Sequence, residues 1–345
     1  MQAWEVGDYA SSGRLRLVQR PDPVPGSGEA LIRVRATGPN ARDYAIWTTG
    51  MGQGPAAPTF IPLCDVAGDV LAVGTGVQSV AAGQRVTMIH YARWLEGPWE
   101  ESMRVEDYAN TRDGFLRELA VVPASALVPL PDSISYEAAA TLPSAGLTAW
   151  QAVVEEGRLR PGDTVVTLGT GGVSVYAMQW ARLLGARVIV TSSSDEKLTR
   201  IRELGADATV NYRATPDWAA EVRRLTGGRG AKLVVNTVGL AELDACLEAC
   251  ASGARIAYIG ACPVGEDRAA VVAAAPKRLG LLIMRDLTLK GIIVGSRRMM
   301  VDLLQAMDTH RVQPVIDRVY DFAQANEALE YFRRAGKVGK VVIRV

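Results

Sequence analysis

PGDTVVTLGTGGVSVYAMQWARLLGARVIVTSSSDEK, from Pro161 to Lys197, reads as a single βαβ unit. Pro161-Gly162-Asp163 makes a turn, and Thr164–Leu168 is an apolar, β-branched run of the kind found in strands buried on both faces. Gly169-Thr170-Gly171-Gly172-Val173-Ser174 follows, then a helical pattern to Leu184 closed by Gly185. A second buried strand runs from Arg187 to Thr191.

The glycines between strand and helix have a chemical reading. Gly169 permits the tight turn. Gly171 has no Cβ, so a pyrophosphate can approach the backbone, where the helix start supplies N–H groups and the positive dipole end. Gly169, Thr170, Gly171, Gly172 and Val173 are therefore assigned to a dinucleotide. Ser174 stands where the fingerprint has its third glycine. An ordinary strand-to-helix turn is the plainer reading of such glycines, and the flanking strands favour the dinucleotide. NAD sites place an acid at the end of the second strand; here that end is Thr191-Ser192-Ser193-Ser194. Ser192 and Ser193 can donate to a 2′-phosphate and Lys197 adds charge, which points to NADPH over NADH. Ser194 also reads as the cap of the next helix.

Composition bounds the rest. At 345 residues, 48% hydrophobic and 22% charged with a net charge of +1, the chain predicts two globular domains. Nothing in the charge pattern points to nucleic acid or an anionic membrane. The four cysteines, Cys64, Cys246, Cys250 and Cys262, lack C-x-x-C spacing, and there are two histidines, His90 and His310. Cys246 and Cys250 read as buried thiols. No leader-like or membrane-spanning apolar run is present in the sequence, so a soluble protein of a reducing, cytoplasmic compartment is expected.

The segments before Pro131 read as a small strand-rich barrel: Met1–Val6, Leu15–Val18, Glu29–Ala36, Asp65–Val73 with Gly68 inside it suggesting a bulge or a close approach, Gly83–Ile89 and Gly114–Val122. A short helix enters near Asn40–Tyr44, followed by a loop at Gly50–Pro62. His90–Asp113 is aromatic and acidic; it reads either as a surface excursion or dimer contact, or as a pocket wall built from Tyr91 or Trp94. From Ser135 helix and strand alternate. Helices are expected at Tyr136–Leu142, Ala145–Glu155, Glu196–Leu204, Trp218–Leu225 and Leu240–Ala251. Strands are expected at Asp207–Asn211, Ala231–Asn236, Ala254–Gly260 and Leu287–Val294. Such alternation means a doubly wound parallel sheet that binds ligands at its carboxyl ends, where Val238 and Ile259 flank small residues suited to a nicotinamide ring. Two helices, Met299–Asp308 and Ala323–Arg334, joined by a connector at Pro314, precede a last strand, Val341–Val345, that suits the first domain's sheet.

TGPNARD at Thr37–Asp43, PLCDVAGDV at Pro62–Val70, TLPSAGLTAW at Thr141–Trp150, GTGGVS at Gly169–Ser174 and GKVGKVVI at Gly336–Ile343 occur in the order and spacing of one family. The chain resembles the medium-chain dehydrogenase/reductase superfamily over its whole length, and within it the zinc-independent quinone oxidoreductases and enone reductases. The resemblance implies an α/β protein with a GroES-like catalytic domain, residues 1–130 and 296–345, and a Rossmann nucleotide-binding domain, residues 131–295. It implies an active site in the cleft between them, a homodimer joined through the strand Leu287–Val294, and a cofactor set that adds Thr148 and Tyr212. Zinc-dependent members hold the metal with cysteine, histidine and cysteine where this chain has Pro39-Asn40, Cys64 and Ser144, so no zinc is expected.

Without a metal, the natural chemistry is hydride transfer to the β-carbon of an enone, alkenal or quinone, with charge developing on the carbonyl oxygen. Asn40 is the first candidate to meet that charge, with Tyr44 and Tyr91 as alternates. Two other functions fit the same motifs: a metal-free alcohol or carbonyl dehydrogenase, and a dinucleotide-binding protein without turnover.

Overall fold

The computed structural model describes residues 1–7, 14–49, 59–260, 276–334 and 336–345. Most of the loop expected at Gly50–Pro62, and Ala261, Cys262 and most of the loop that follows, lie outside the described residues.

In chain order the strands are β1 Gln2–Glu5, β2 Arg16–Gln19, β3 Glu29–Thr37, β4 Ala67–Val73, β5 Arg85–Met88, β6 Leu119–Pro123, β7 Leu127–Pro129, β8 Thr164–Leu168, β9 Arg187–Ser192, β10 Ala208–Asn211, β11 Ala231–Asn236, β12 Cys250–Tyr258, β13 Thr288–Gly291, β14 Ile316–Asp321 and β15 Lys340–Arg344. The α-helices are α1 Ala41–Thr49, α2 Tyr136–Ala139, α3 Leu147–Trp150, α4 Gly172–Leu183, α5 Asp195–Glu203, α6 Trp218–Leu225, α7 Leu243–Ala249, α8 Gly280–Met284, α9 Arg297–His310 and α10 Ala325–Arg333. They form two compact units: Met1–Leu147 with Val294–Ala335 and Lys340–Val345, and Thr148–Ile293 with Gly336–Gly339.

In the second unit six parallel strands run in the order β10-β9-β8-β11-β12-β13. Counted within the unit this is 3-2-1-4-5-6, the dinucleotide-binding order, with its switch point between β8 and β11. The strands are β-branched because helices cover the sheet. Val166, Leu168, Ile189, Val234 and Ile256 share one buried cluster with Trp218 and Val222 of α6 and Leu243, Cys246 and Leu247 of α7. Helix α4 packs on β8 and β9, burying Val175, Tyr176 and Trp180, and the Trp180 ring meets Trp150 edge-on at 5.2 Å. Two expected boundaries differ. The helix predicted from Leu240 is a 3-10 turn followed by α7, and β12 starts at Cys250, four residues before the predicted Ala254. Cys250 pairs with Ala231, so sheet pairing overrides the helical pattern.

The first unit holds a seven-stranded sheet in the order β14-β15-β3-β4-β5-β7, with β6 also on β3, and a separate β1-β2 pair. The last strand joins this sheet, as its pattern predicted. At Gly68 a Cβ would stand 2.1 Å from the Arg33 carbonyl oxygen, which is the close approach expected there. β14 was expected as a connector; its residues are only half-buried, so apolar alternation is weak, and it is held by pairing with β15. Of the strand predicted from Gly114, the first residues instead donate to the carbonyls of Ile61, Pro62 and Leu63. The two predicted helices around Pro143 are a nearly continuous helical run, with π-helical turns at Leu142–Gly146 and Gln151–Glu155. Pro143 has no N–H to donate, and Gly146 bonds five residues back, to Thr141.

Candidate active site

Gly169 sits at φ +79°, and a Cβ added at Gly169 or Gly171 would meet nothing within 4 Å. Gly171 caps α4 without any side chain on the helix's first N–H groups. The turn thus offers backbone donors, a positive dipole end and open space, which fits a pyrophosphate. Ser174 is buried; its hydroxyl donates to the Leu168 carbonyl at 2.6 Å, as does that of Thr237, and so stitches the helix start to the strand end. The 336–339 segment backs the same turn: Gly339 N donates to Thr170 O at 2.9 Å, and Thr170 Oγ1 to Lys337 O at 3.3 Å. The sequence had marked that segment only as a family motif.

At the ends of β9 and β10 lie the residues assigned to the ribose. Ser192 is buried and its hydroxyl accepts from Ser194 N at 3.4 Å. Ser194 caps α5 by accepting from Lys197 N. Ser193 is half-buried and Tyr212 exposed. Burial, then the neighbouring Arg213 guanidinium, lowers the pKa of Lys197, so two cations face one another here. Arg213, next to Tyr212 in sequence, was missed as a contributor of charge. Val238 is exposed beside the buried Asn236, whose side chain accepts from Val238 N and Gly239 N and donates to Gly239 O. Ile259 N donates to Asn236 O, and Thr148 is buried at the start of this unit. A Cβ on Gly239 would fall 2.2 Å from Gly260 O, so smallness there serves packing as well.

In the first unit, the three positions that correspond to metal ligands come together. Asn40 Nδ2 is 3.7 Å from Cys64 Sγ, and Cys64 Sγ is 3.4 Å from Ser144 Oγ. Asp65 is the hub beneath them: Oδ1 accepts from Ser144 N at 2.9 Å, and Oδ2 accepts from Asn40 Nδ2 and Lys340 Nζ, each at 3.0 Å. Lys340 Nζ also donates to Asn40 Oδ1 at 2.7 Å and Pro39 O at 3.1 Å, so its three protons are used. On the far side Ser144 Oγ lies 3.4 Å from His90 Nδ1, and His90 Nε2 lies 3.2 Å from Asp107 Oδ1. Arg42 Nη2 and Asn110 Nδ2 donate to the two oxygens of Asp107.

Comparison with known proteins agrees with both halves of this description. Residues 26–132 match the alcohol dehydrogenase GroES-like domain and residues 172–309 the zinc-binding dehydrogenase domain. A zinc-type alcohol dehydrogenase-like protein of Schizosaccharomyces pombe is 36% identical, over 92% of this chain and 91% of its own. The chain belongs to the medium-chain dehydrogenase/reductase superfamily.

Other members of the superfamily are similar along the whole chain. An acryloyl-coenzyme A reductase of Metallosphaera sedula is 28% identical over 99% of both chains. The quinone oxidoreductase of Thermus thermophilus, solved with NADPH, is 28% identical with a TM-score of 0.76, covering all of both chains. An NAD-dependent alcohol dehydrogenase structure is 34% identical with a TM-score of 0.86, also over all of both chains. As a medium-chain dehydrogenase/reductase of this quinone- and enone-reductase-like kind, the protein is an NAD(P)H-dependent oxidoreductase.

The zinc that many of the superfamily carry does not fit the residues present. The three positions offer an amide, one thiol and a hydroxyl, so a single side chain of the three is a usual zinc ligand. Both oxygens of Asp65 are already engaged. Among the described residues no group of three or more His, Cys, Asp and Glu side chains is arranged to hold a metal.

Of the residues expected to meet substrate charge, Asn40 is in this cluster, but its amide is anchored at both ends by Lys340 and Asp65. Tyr91 is buried against His90 at 4.5 Å and Trp99 at 4.8 Å, its phenol pushed up to about 12 by burial and by Asp107. Tyr44 packs instead on the core of Trp4, Phe60 and Leu329, under the Arg333 guanidinium at 5.0 Å. Trp94 and Tyr108 are buried too, so the two ends of the 90–113 excursion are internal, while residues 95–106 between them are exposed or half-buried. His90 and Asp107 were missed because nothing local marks them as a pair. Despite its burial, Asp107 is held well below the usual carboxylate range by His90, Arg42 and Asn110.

Proposed function

We propose that this enzyme is a zinc-independent, NADPH-dependent reductase of an activated double bond, in an enone, alkenal or quinone. The observation that carries the reading is the replacement of a metal-ligand set by an anchored amide, a single buried thiol and a hydroxyl. With no metal ion to polarise a plain carbonyl, a substrate that brings its own activation suits this site. NADPH bound at the Gly169–Ser174 turn supplies the hydride. The protein binds the cofactor, excludes water and offers hydrogen bonds to the oxygen on which charge develops. The acryloyl-coenzyme A reductase and quinone oxidoreductase relatives support this chemistry. Preference for NADPH is supported by the Lys197–Arg213 pair and by Ser192 and Ser193 at the end of β9, where NAD sites have an acid.

The test is NADPH oxidation by metal-analysed protein with a panel of enones, quinones, aldehydes and ketones. Turnover of the first two classes, unaffected by chelator, is expected. Turnover confined to aldehydes or ketones would favour the second reading, a metal-free dehydrogenase, whose dehydrogenase part the NAD-dependent alcohol dehydrogenase neighbour supports. One equivalent of zinc per chain would overturn the metal-free part of the proposal.

We further propose a homodimer. β13 is an exposed edge strand that exposes Leu289, and Leu279, Ile283 and Met284, shortly before it in the chain, expose further apolar surface. Scattering mass in solution checks this, and Ile283→Glu with Met284→Lys should give monomers. Among the described residues no helix is long and apolar enough to cross a membrane. The three described cysteines are free and buried, in keeping with a reducing, cytoplasmic compartment.

A further inference from the structure

A chain of polar side chains leads inward from the cluster at Asn40, Cys64 and Ser144, and nothing in the reading above uses it. Ser144 Oγ stands between Cys64 Sγ and His90 Nδ1, 3.4 Å from each. The protonated thiol has little basicity toward the hydroxyl, so the imidazole is the stronger proton partner. His90 is fully buried, and its second nitrogen faces Asp107 Oδ1 at 3.2 Å in a poorly aligned contact. Asp107 is itself buried and ionised, fixed by Arg42 at 2.7 Å and by Asn110 at 2.9 Å. The backbone of Ser144 is clamped by Asp65 and lies in the π-helical turn Leu142–Gly146. A carboxylate orienting an imidazole, which in turn meets a hydroxyl, is an arrangement suited to moving protons.

We propose that Ser144 is the proton donor of the reduction and that His90, oriented by Asp107, is the positioning residue that resupplies it. The inference rests on the reductase reading. Hydride adds to the β-carbon, and the π electrons move to give an enolate or, from a quinone, a phenolate. The Ser144 O–H bond breaks as its proton goes to that anion. The serine oxygen takes the Nδ1 proton of the His90 imidazolium, leaving a neutral imidazole. A proton from solvent restores it, so each turn consumes NADPH and one proton and forms NADP⁺ and the reduced product. The Asp107 carboxylate faces the second nitrogen of the ring, and the other groups that face this chain are Tyr91 beside the ring, Arg42 behind Asp107, and Cys64 beside Ser144.

The experiment compares native protein with Ser144→Ala, Ser144→Thr and His90→Asn in NADPH oxidation with an enone and a quinone, across pH, with NADPH affinity measured by nicotinamide fluorescence. Ser144→Ala is expected to lower kcat about 100-fold, a usual size for a lost general acid, with NADPH affinity unchanged. Ser144→Thr keeps a hydroxyl and should recover most of that loss. His90→Asn places an amide that cannot titrate beside the hydroxyl. It should lower kcat and abolish the decline of kcat with rising pH that an imidazolium source imposes. Ser144→Ala within twofold of native kcat, or His90→Asn with the native pH profile, overturns the relay while leaving the reductase. A native protein inactive on all such substrates overturns the reductase reading and the relay with it. The alanine and threonine variants change little volume, so folding, checked by melting temperature, does not obscure the outcome.

Discussion

The glycine-rich turn and the Ser144 cluster solve opposite problems. The turn is open: backbone, a positive φ at Gly169, and no atom within 4 Å of where side chains would begin. The cluster is closed: Asp65, His90, Cys64 and Lys340 are almost fully buried, Lys340 donates to Asp65, and Ser144 meets both Cys64 and His90. A site for a phosphate can be made of N–H groups and space, since the charge arrives with the ligand. A site for developing charge must be preorganised, so its polar groups are paired before any substrate enters.

That contrast can be broken most severely at Lys340. Lys340→Met leaves the Asp65 carboxylate buried without its cation, and a loss of about 3–5 kcal/mol is expected, read as a lower midpoint in urea or heat. Asp107→Asn should cost about 2 kcal/mol at neutral pH, the size of a hydrogen bond to a charged group. Its pH dependence sharpens the point. The folded pKa of Asp107 is depressed, so its stabilisation is present above the unfolded value near 4 and is lost as pH falls through the folded one. Acid unfolding of the native protein should therefore steepen below about pH 4, and Asp107→Asn should flatten that limb.

In the turn the same size of change should leave the fold alone. Gly171→Ala is expected to cost less than about 1 kcal/mol, because φ is −76° and nothing crowds the new methyl. Yet it should weaken NADPH at least tenfold, about 1.4 kcal/mol, by standing where a pyrophosphate at this turn would lie. Equal weakening of stability and affinity would erase the distinction between open and closed sites. Lys197→Ala should lower NADPH affinity about tenfold and leave NADH nearly unchanged, in keeping with a single charged contact to the 2′-phosphate; fluorescence titration with both nucleotides reads it. Ser174→Ala, which removes the stitch to Leu168, is the mildest, about 1 kcal/mol in stability.

What could be read along the chain follows the same division. The turn, the two strands beside it, the cap at Ser194 and the close approach at Gly68 were legible because each depends on neighbours in sequence. β14, the π-helical turns and the early start of β12 were not, because pairing across the sheet and a missing proline N–H outweighed local pattern. Asn40 was found as a family position, but its immobilisation by Lys340 was not visible from 300 residues away.

The sequence by itself determined the dinucleotide-binding unit, the place of the glycines and the absence of an acid at the end of β9, and its resemblance to the family implied the loss of two of three metal-ligand types. Residue identity and short-range periodicity carry that information. Only the tertiary structure decided that Ser144 meets His90 from 54 residues away and that Lys340 reaches Asp65 across 275. Such pairs answer to no period in the chain; they exist because the folded sheet of the first unit and the helical run through Pro143 bring these side chains to one buried point, where each polar group must find a partner.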